Sequence, residues 1–336
     1  MIEKMLFLQQ NKELHGMLQG DLSLRKIATV AEMQQAKQSG YFYSHVAVPS
    51  FLYPREYQQV VPYTNIEFYK VYLYMIVNDK QSYEFSYYNM SDQRVRQLVE
   101  KAKTSFDEVC VIYPEFFTFF HAVNIEVMVK GNKTKYSEVK FRLTYVWKKL
   151  DFSGSYSFQD IQDTIYACAF AISELRRYGK IGSHMSQYEK AKVLFQWVVY
   201  HAENSKTYKG SDFTPKGFLF NGVGICQAYT GVFNLLCKME QIPVIGIAGQ
   251  CFQEGAIKGE EHIWSFIILD GKCAYVDSTW ADTVFSNEHI LYKYGINPED
   301  ICNFKYFYIS RQELSKTHKW STVCFEDMLI NQLLIR

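Results

Sequence analysis

Three residues, distant along the chain, stand in company that suits them for chemistry: Cys226 in GVGICQAYTGVFNLL, His262 in EEHIWSFIILDG and Asp277 in KCAYVDSTWAD. A thiol is a useful nucleophile only as thiolate, and the unpaired N–H groups at a helix N-terminus favour that anion. Cys226 is expected at such a place. Gly222 and Gly224 allow a tight entry into a run that is apolar at Val232, Leu235 and Leu236 and ends before Pro243. An imidazole that takes the thiol proton, and a carboxylate that orients the imidazole, complete the equipment for attack on an amide carbonyl through an acyl-enzyme.

The next question is what brings the imidazole and the carboxylate together. HIWSFIIL and KCAYVDSTW read as two strands about Asp270-Gly271, a strong short hairpin signal. Pairing counted outward from that turn sets His262 opposite Thr279, with Asp277 a diagonal neighbour on the same face and within reach of a hydrogen bond. Each residue also has a plainer reading. Cys226 could be a small buried residue, as Cys110, Cys168, Cys237 and Cys273 are expected to be. His262 could be a hydrogen-bonded structural histidine, and Asp277 a strand-end cap. His289 and His318 read as surface or capping residues, and Glu260 and Glu261 as solvated charges at a strand entry. The company of all three motifs favours the catalytic reading.

The rest of the chain divides into three parts. Residues 1–58 form an N-terminal extension, with short helices expected at Met5–Leu14 and Leu24–Ala36. Residues 59–150 read as a small α+β module. Its pattern predicts a hairpin about Asn78-Asp79-Lys80, a helix opened by Ser91 with Val95, Leu98, Val99 and Ala102 on one face, and a second hairpin about Gly131-Asn132. Residues 151–336 form the catalytic domain. Ile161, Ile165, Cys168, Ile172 and Leu175 mark an amphipathic helix, and Ser186 to Glu189 is a capping box for another whose inward residues are Leu194, Phe195, Val198 and Val199. IPVIGIAGQ reads as a buried strand, FKYFYI as another, Ser310 to Glu313 as a second capping box, and Met328–Ile335 as a final apolar segment.

Composition narrows the function classes. A net charge of +1 in 336 residues provides no field for nucleic acid or an acidic membrane. The 26 Tyr and 25 Phe favour substantial sheet. Eight scattered cysteines show no zinc-ligand spacing and read as thiols in a reducing compartment. No stretch has the apolar length of a membrane span, and the N-terminus lacks a signal peptide's apolar core, so a cytoplasmic protein is expected, or a secreted one if a leader has been removed. No metal and no organic cofactor is called for.

Gly224-x-Cys226-x-x-Tyr229, His262-x-Trp264 and Val276-Asp277-x-Thr279-Trp280, in that order, resemble the transglutaminase-like superfamily of papain-type thiol enzymes, in its bacterial form. The resemblance covers roughly residues 156–320. It implies an α+β, papain-like core of helices packed on an antiparallel sheet, with Cys226 as nucleophile, His262 as general base and then acid, and Asp277 as its orienting partner. It implies an oxyanion donor from the backbone N–H of Cys226 and leaves the second open among Gln227, Tyr208 and Asn221. Trp264, Trp280 and Tyr229 are expected as cleft walls. Ala228 departs from the glycine that many bacterial members carry there, which argues against a tight backbone contact at that position. The expected activity is thiol hydrolysis, of protease or amidase type, on a protein or peptide substrate. The alternatives are acyl transfer to an amine, as in a protein-glutamine transglutaminase, and a non-catalytic relative that binds peptide or cell-wall polymer. Residues 1–150 are a candidate partner-binding region.

Overall fold

The computed structural model describes residues 20–50, 60–132, 134–150, 154–252, 258–282, 302–320, 325–331 and 334. Its first elements are a 3-10 turn at Leu22–Lys26 and the helices Val30–Gln38 (α1) and Tyr41–His45 (α2). These lie against the later helices that carry Trp197 and Phe220. Trp197 Nε1 donates to the Ile27 carbonyl at 2.9 Å, and Gln34 Nε2 to the Phe220 carbonyl at 2.6 Å. The helix expected at Met5–Leu14 lies outside the described residues.

A helix-and-sheet module follows: Asn65–Val77 (α3), Ser82–Met90 (β1), Asp92–Ile112 (α4), Pro114–Phe117 (α5), Phe120–Asn132 (β2) and Lys135–Trp147 (β3). The three strands are antiparallel in the order β1-β3-β2, and α3 and α4 pack on them. The expected hairpin about Asn78-Asp79-Lys80 is corrected here, because its first arm is a helix. Thr64 caps α3 and Glu67 reaches back to the Thr64 N–H at 2.8 Å, a full capping box. Phe68, Tyr69, Val71, Tyr72, Leu73, Met75 and Ile76 are all buried. A helix hydrophobic nearly all round shows no amphipathic period, so its aromatic and β-branched residues read as strand. The hairpin about Gly131-Asn132 forms as expected, with Asn132 opposite Lys135.

The C-terminal region begins with Phe158–Arg177 (α6) and Gln187–His201 (α7). It continues through the short strand Glu203–Asn204 (β4), Pro215–Asn221 (α8), Val223–Gly224 (β5) and Cys226–Met239 (α9). Val244–Cys251 (β6), Glu260–Leu269 (β7), Lys272–Val276 (β8), Ser278–Ala281 (α10), Arg311–Leu314 (α11), His318–Lys319 (β9) and Phe325–Ile330 (α12) complete the described elements. The expected faces of α6 and α7 are buried, and Ser186 and Glu189 form the expected capping box of α7. β6 to β9 build an antiparallel sheet in the order β8-β7-β6-β9. The segment FKYFYI is not a strand: Phe304–Tyr306 is a 3-10 turn, and a single bridge joins Ile309 to Tyr275. Among the described residues no helix is long and apolar enough to cross a membrane.

Helix α9 lies at the centre. Every residue from Ala228 to Met239 is buried, and α5, α6, α7, α8, β6 and β7 pack around it. Fully burying side chains such as Phe233, Leu235 and Leu236 contributes about 1.5–3 kcal/mol each. At its far end Lys238 is ion-paired with Glu115 of α5, both buried. Burial pushes the Glu115 carboxyl up and the Lys238 ammonium down, and Glu115 Oε2 has no partner. Removing one member of such a pair strands the other. Lys238→Met should therefore cost roughly 3–5 kcal/mol in urea unfolding, while Lys238→Met/Glu115→Leu should recover most of that loss.

Candidate active site

The entry to α9 follows from two glycines and an absent cap. Gly222 ends α8 with φ 68°, a left-handed conformation that favours glycine. A Cβ on Gly224 would lie 2.9 Å from the Phe218 ring and 3.1 Å from the Ala228 Cβ, so only glycine fits beneath that ring. Ile225, the N-cap residue, offers no side-chain oxygen, and its N–H is spent on the Asp212 carbonyl at 2.9 Å. Cys226 thus opens the helix, half-buried, with the N–H groups of the first turn uncapped by any side chain of the preceding residue.

His262 enters from β7. Its Nε2 donates to Asp277 Oδ2 at 2.8 Å, and the Cys226 thiol lies near enough to the ring to raise its basicity. With Nε2 committed to the carboxylate, Nδ1 is the nitrogen left to face sulfur. Asp277 arrives differently from the expectation. The β7–β8 ladder keeps the register set by Asp270-Gly271 but stops at Ser265 opposite Val276. Thr279 is therefore not a cross-strand partner of His262. Asp277 instead caps α10, where Oδ1 accepts from Thr279 N at 3.1 Å and Trp280 N at 3.0 Å. A strand-end cap and an imidazole partner, taken above as competing readings, are the two oxygens of one carboxylate.

A fourth side chain joins them. His318 Nε2 lies 3.1 Å from the same Asp277 Oδ2, and the residue is 1% exposed. The surface or capping reading of His318 is corrected. It had no motif partner in sequence, and only the pairing of β9 with β6, Cys251 opposite His318, brings it to the site. His289 lies outside the described residues. Glu260 and Glu261 are exposed, and so is Cys273, which was expected to be buried.

The other expected site residues are dispersed. Trp280 is half-buried, its ring 6.1 Å from that of His262. Trp264 and Tyr229 are fully buried, so they back the site rather than wall a cleft. Trp264 sits 6.0 Å from the His262 ring. Tyr229 donates from its hydroxyl to the Asp282 carboxylate and stands 2.9 Å from the Ala202 carbonyl. Burial pushes Asp282 up to about 7. Tyr208 is 66% exposed on a backbone with φ 52°, and Asn221 is exposed at the end of α8. Gln227, beside the thiol, has a buried Oε1 with no partner.

His262, Asp277 and His318 present ligand atoms within 4.8 Å of one another and are the set among the described residues that could hold a metal ion. All three atoms are already satisfied by the two imidazole–carboxylate bonds, which an ion would have to displace.

Residues 177–280 match the family model of the Transglutaminase-like superfamily. This segment is a transglutaminase-like domain. It includes Cys226, His262 and Asp277, and the mixed architecture of helices on an antiparallel sheet is the α+β fold of that superfamily. Mouse (Mus musculus) Kyphoscoliosis peptidase is 26% identical over 121 residues, 32% of this chain and 18% of that protein. The human (Homo sapiens) protein is 26% identical over 118 residues, 31% and 18%. The matched segment thus spans under a fifth of those relatives. Among solved structures, a Cytophaga hutchinsonii chain assigned as a cysteine protease is 16% identical, with a TM-score of 0.28 over 47% of this chain and 62% of that one. A TGase is 13% identical, with a TM-score of 0.30 over 63% and 57%. At those scores the structural likeness carries no weight.

Electrostatically, burial alone would push Asp277 up and His262 down. The charges and hydrogen bonds of the partners outweigh it: His262, then His318, hold the Asp277 carboxyl well below the usual carboxylate range, and Asp277 and Cys226 raise His262 well above its ordinary 6.5. The depressed acid stabilises the fold above its ordinary 3.8 and loses that contribution as pH falls through its lowered value. The raised base stabilises in full below 6.5 and loses its contribution as pH rises through its raised value. Thermal unfolding of the wild type and of His262→Gln, followed against pH, should therefore show the widest Tm gap between 3.8 and 6.5. The gap should narrow on both sides.

Proposed function

We propose that the chain is a thiol enzyme that cleaves an amide or peptide bond through an acyl-enzyme. The observation that carries the reading is the buried 2.8 Å bond from His262 to Asp277, on an imidazole whose basicity is raised by Cys226, a thiol that opens a helix. In the forward step the Cys226 sulfur attacks the carbonyl carbon while His262 holds the thiol proton. The amide C–N bond then breaks, and the same proton passes to the leaving nitrogen. Water, deprotonated by His262, attacks the thioester, and the thiolate leaves as the acid product forms. Asp277 keeps the ring in the tautomer that faces sulfur with Nδ1 and stabilises the imidazolium.

The carbonyl oxygen becomes an anion in both halves and needs donors already in place. The uncapped first-turn N–H groups of Cys226 and Gln227 are the pair we favour. Both lie at the positive end of a 14-residue helix, whereas Tyr208 is itself exposed on a loop and Asn221 ends another helix. Hydrolysis is preferred to amine transfer because the likeness in sequence is to proteins named as peptidases.

Intact-mass measurement with acylating peptide probes tests the scheme. A mass increment on the wild type that is absent from Cys226→Ala is expected, and turnover should fall by roughly 10⁴-fold or more in Cys226→Ala or His262→Ala. With a glutamine-bearing peptide and a tagged amine present together, free acid should form without the tagged adduct. Acylation that survives Cys226→Ala would sink the assignment, and an amine adduct would convert the hydrolase into a transferase.

A further inference from the structure

His318 is a buried imidazole with no part in the reaction just described, and its bonding is specific. Asp277 Oδ2 has two lone-pair sites; His262 occupies one at 2.8 Å and His318 the other at 3.1 Å. The opposite ring nitrogen of His318, Nδ1, lies 2.9 Å from the Thr317 hydroxyl. That hydroxyl has one proton. Its alternative acceptor, the Leu314 carbonyl, is 3.4 Å away, so the shorter contact has Thr317 donating to Nδ1 and leaves Nε2 carrying the hydrogen that points at Asp277. The ring is packed against Trp280 and Trp264, at 4.7 and 4.8 Å between centroids, and cannot swing away without opening that contact. Oδ1 is held by the two amides of α10. Two amides on one oxygen leave the carboxylate free to rock about them; a fixed donor on the second oxygen removes that freedom.

We propose that His318 is a positioning residue for the acyl-transfer reaction. By donating Nε2–H to Asp277 Oδ2 it fixes the carboxylate plane that in turn orients His262, and Thr317 fixes the tautomer that lets it donate. The inference rests on the catalytic reading of Cys226, His262 and Asp277. It makes the working unit four residues drawn from four elements: α9, β7, the turn into α10, and β9.

The test uses the full chain and iodoacetamide, which needs no known substrate, with labelling of each cysteine followed by peptide mass. His318→Phe keeps an aromatic ring between the tryptophans and loses the bond. His318→Gln keeps a donor at a similar reach. Thr317→Val leaves the ring and removes its tautomer lock. Cys226 of the wild type should label faster than the other thiols. His318→Phe should slow it by roughly 10- to 100-fold at a Tm that still shows a folded protein, the scale expected of a misplaced catalytic group. His318→Gln should stay within about threefold of the wild type, and Thr317→Val should fall between the two. If His318→Phe does not fold, the ordering of wild type, His318→Gln and Thr317→Val still decides. A wild-type rate in His318→Phe, or no loss in Thr317→Val, overturns the role of His318 while Cys226 selectivity stands. Uniform labelling of the wild-type thiols overturns the catalytic reading and this inference together.

Discussion

The arrangement depends on how one helix is fastened to one strand. Cys226 and His262 come from α9 and β7, thirty-six residues apart, and a shift of one residue between those elements would separate them. Two buried side-chain bonds forbid the shift. Thr230 Oγ1 donates to the Ile263 carbonyl at 3.1 Å, and Ser265 Oγ donates to Asn234 Oδ1 at 2.7 Å. Thr230 and Asn234 stand four and eight residues beyond the thiol, on one stripe of the helix; Ile263 and Ser265 stand one and three beyond the imidazole. Apolar packing alone would tolerate sliding, because it is not directional. A buried hydrogen bond does not, since each unmade partner costs about 1–3 kcal/mol.

The same economy of position appears at Asp277. A fully buried carboxylate is costly unless its lone pairs are met. Here backbone amides of α10 meet one oxygen and imidazoles meet the other, so the residue that ends β8 and starts α10 is also the anchor of the site. The sheet ladder has no register error at this point; it ends at Val276 because the chain must turn for Asp277 to cap a helix.

Much of this could be read from residue order. Asp270-Gly271 specified its hairpin, Ser186 and Glu189 their helix start, and the glycines before Cys226 the entry of α9, because each is a local signal with a local cause. What escaped reading was non-local. The all-round apolar surface of α3 is explained by what covers it, and nothing within residues 65–77 says that it is covered. His318 has no spacing relation to Asp277; the chain reaches it through α11 and the pairing of β9 with β6. Tyr229 lies in the Cys226 motif as a cleft candidate, yet one helical turn after the thiol it points into the core, where Asp282 and the Ala202 carbonyl meet its hydroxyl.

That inward turn bears on how reactivity and stability share α9. Its first residue is half-buried and open to chemistry, while the twelve buried positions from Ala228 to Met239, Asn234 and Lys238 among them, are committed to neighbours. The module of residues 60–150 takes part, because α5 supplies Glu115 to the far end of the same helix. A helix held along its length by a strand, by flanking helices and by a buried ion pair cannot tilt, and its uncapped N-terminus therefore points in one direction. Preorganised donors stabilise a developing anion only if they need not reorient when the charge forms. Under the proposed acyl-enzyme scheme the bulk of the fold, from α3 to β9, is the support that keeps two backbone amides, one thiol and two imidazoles still.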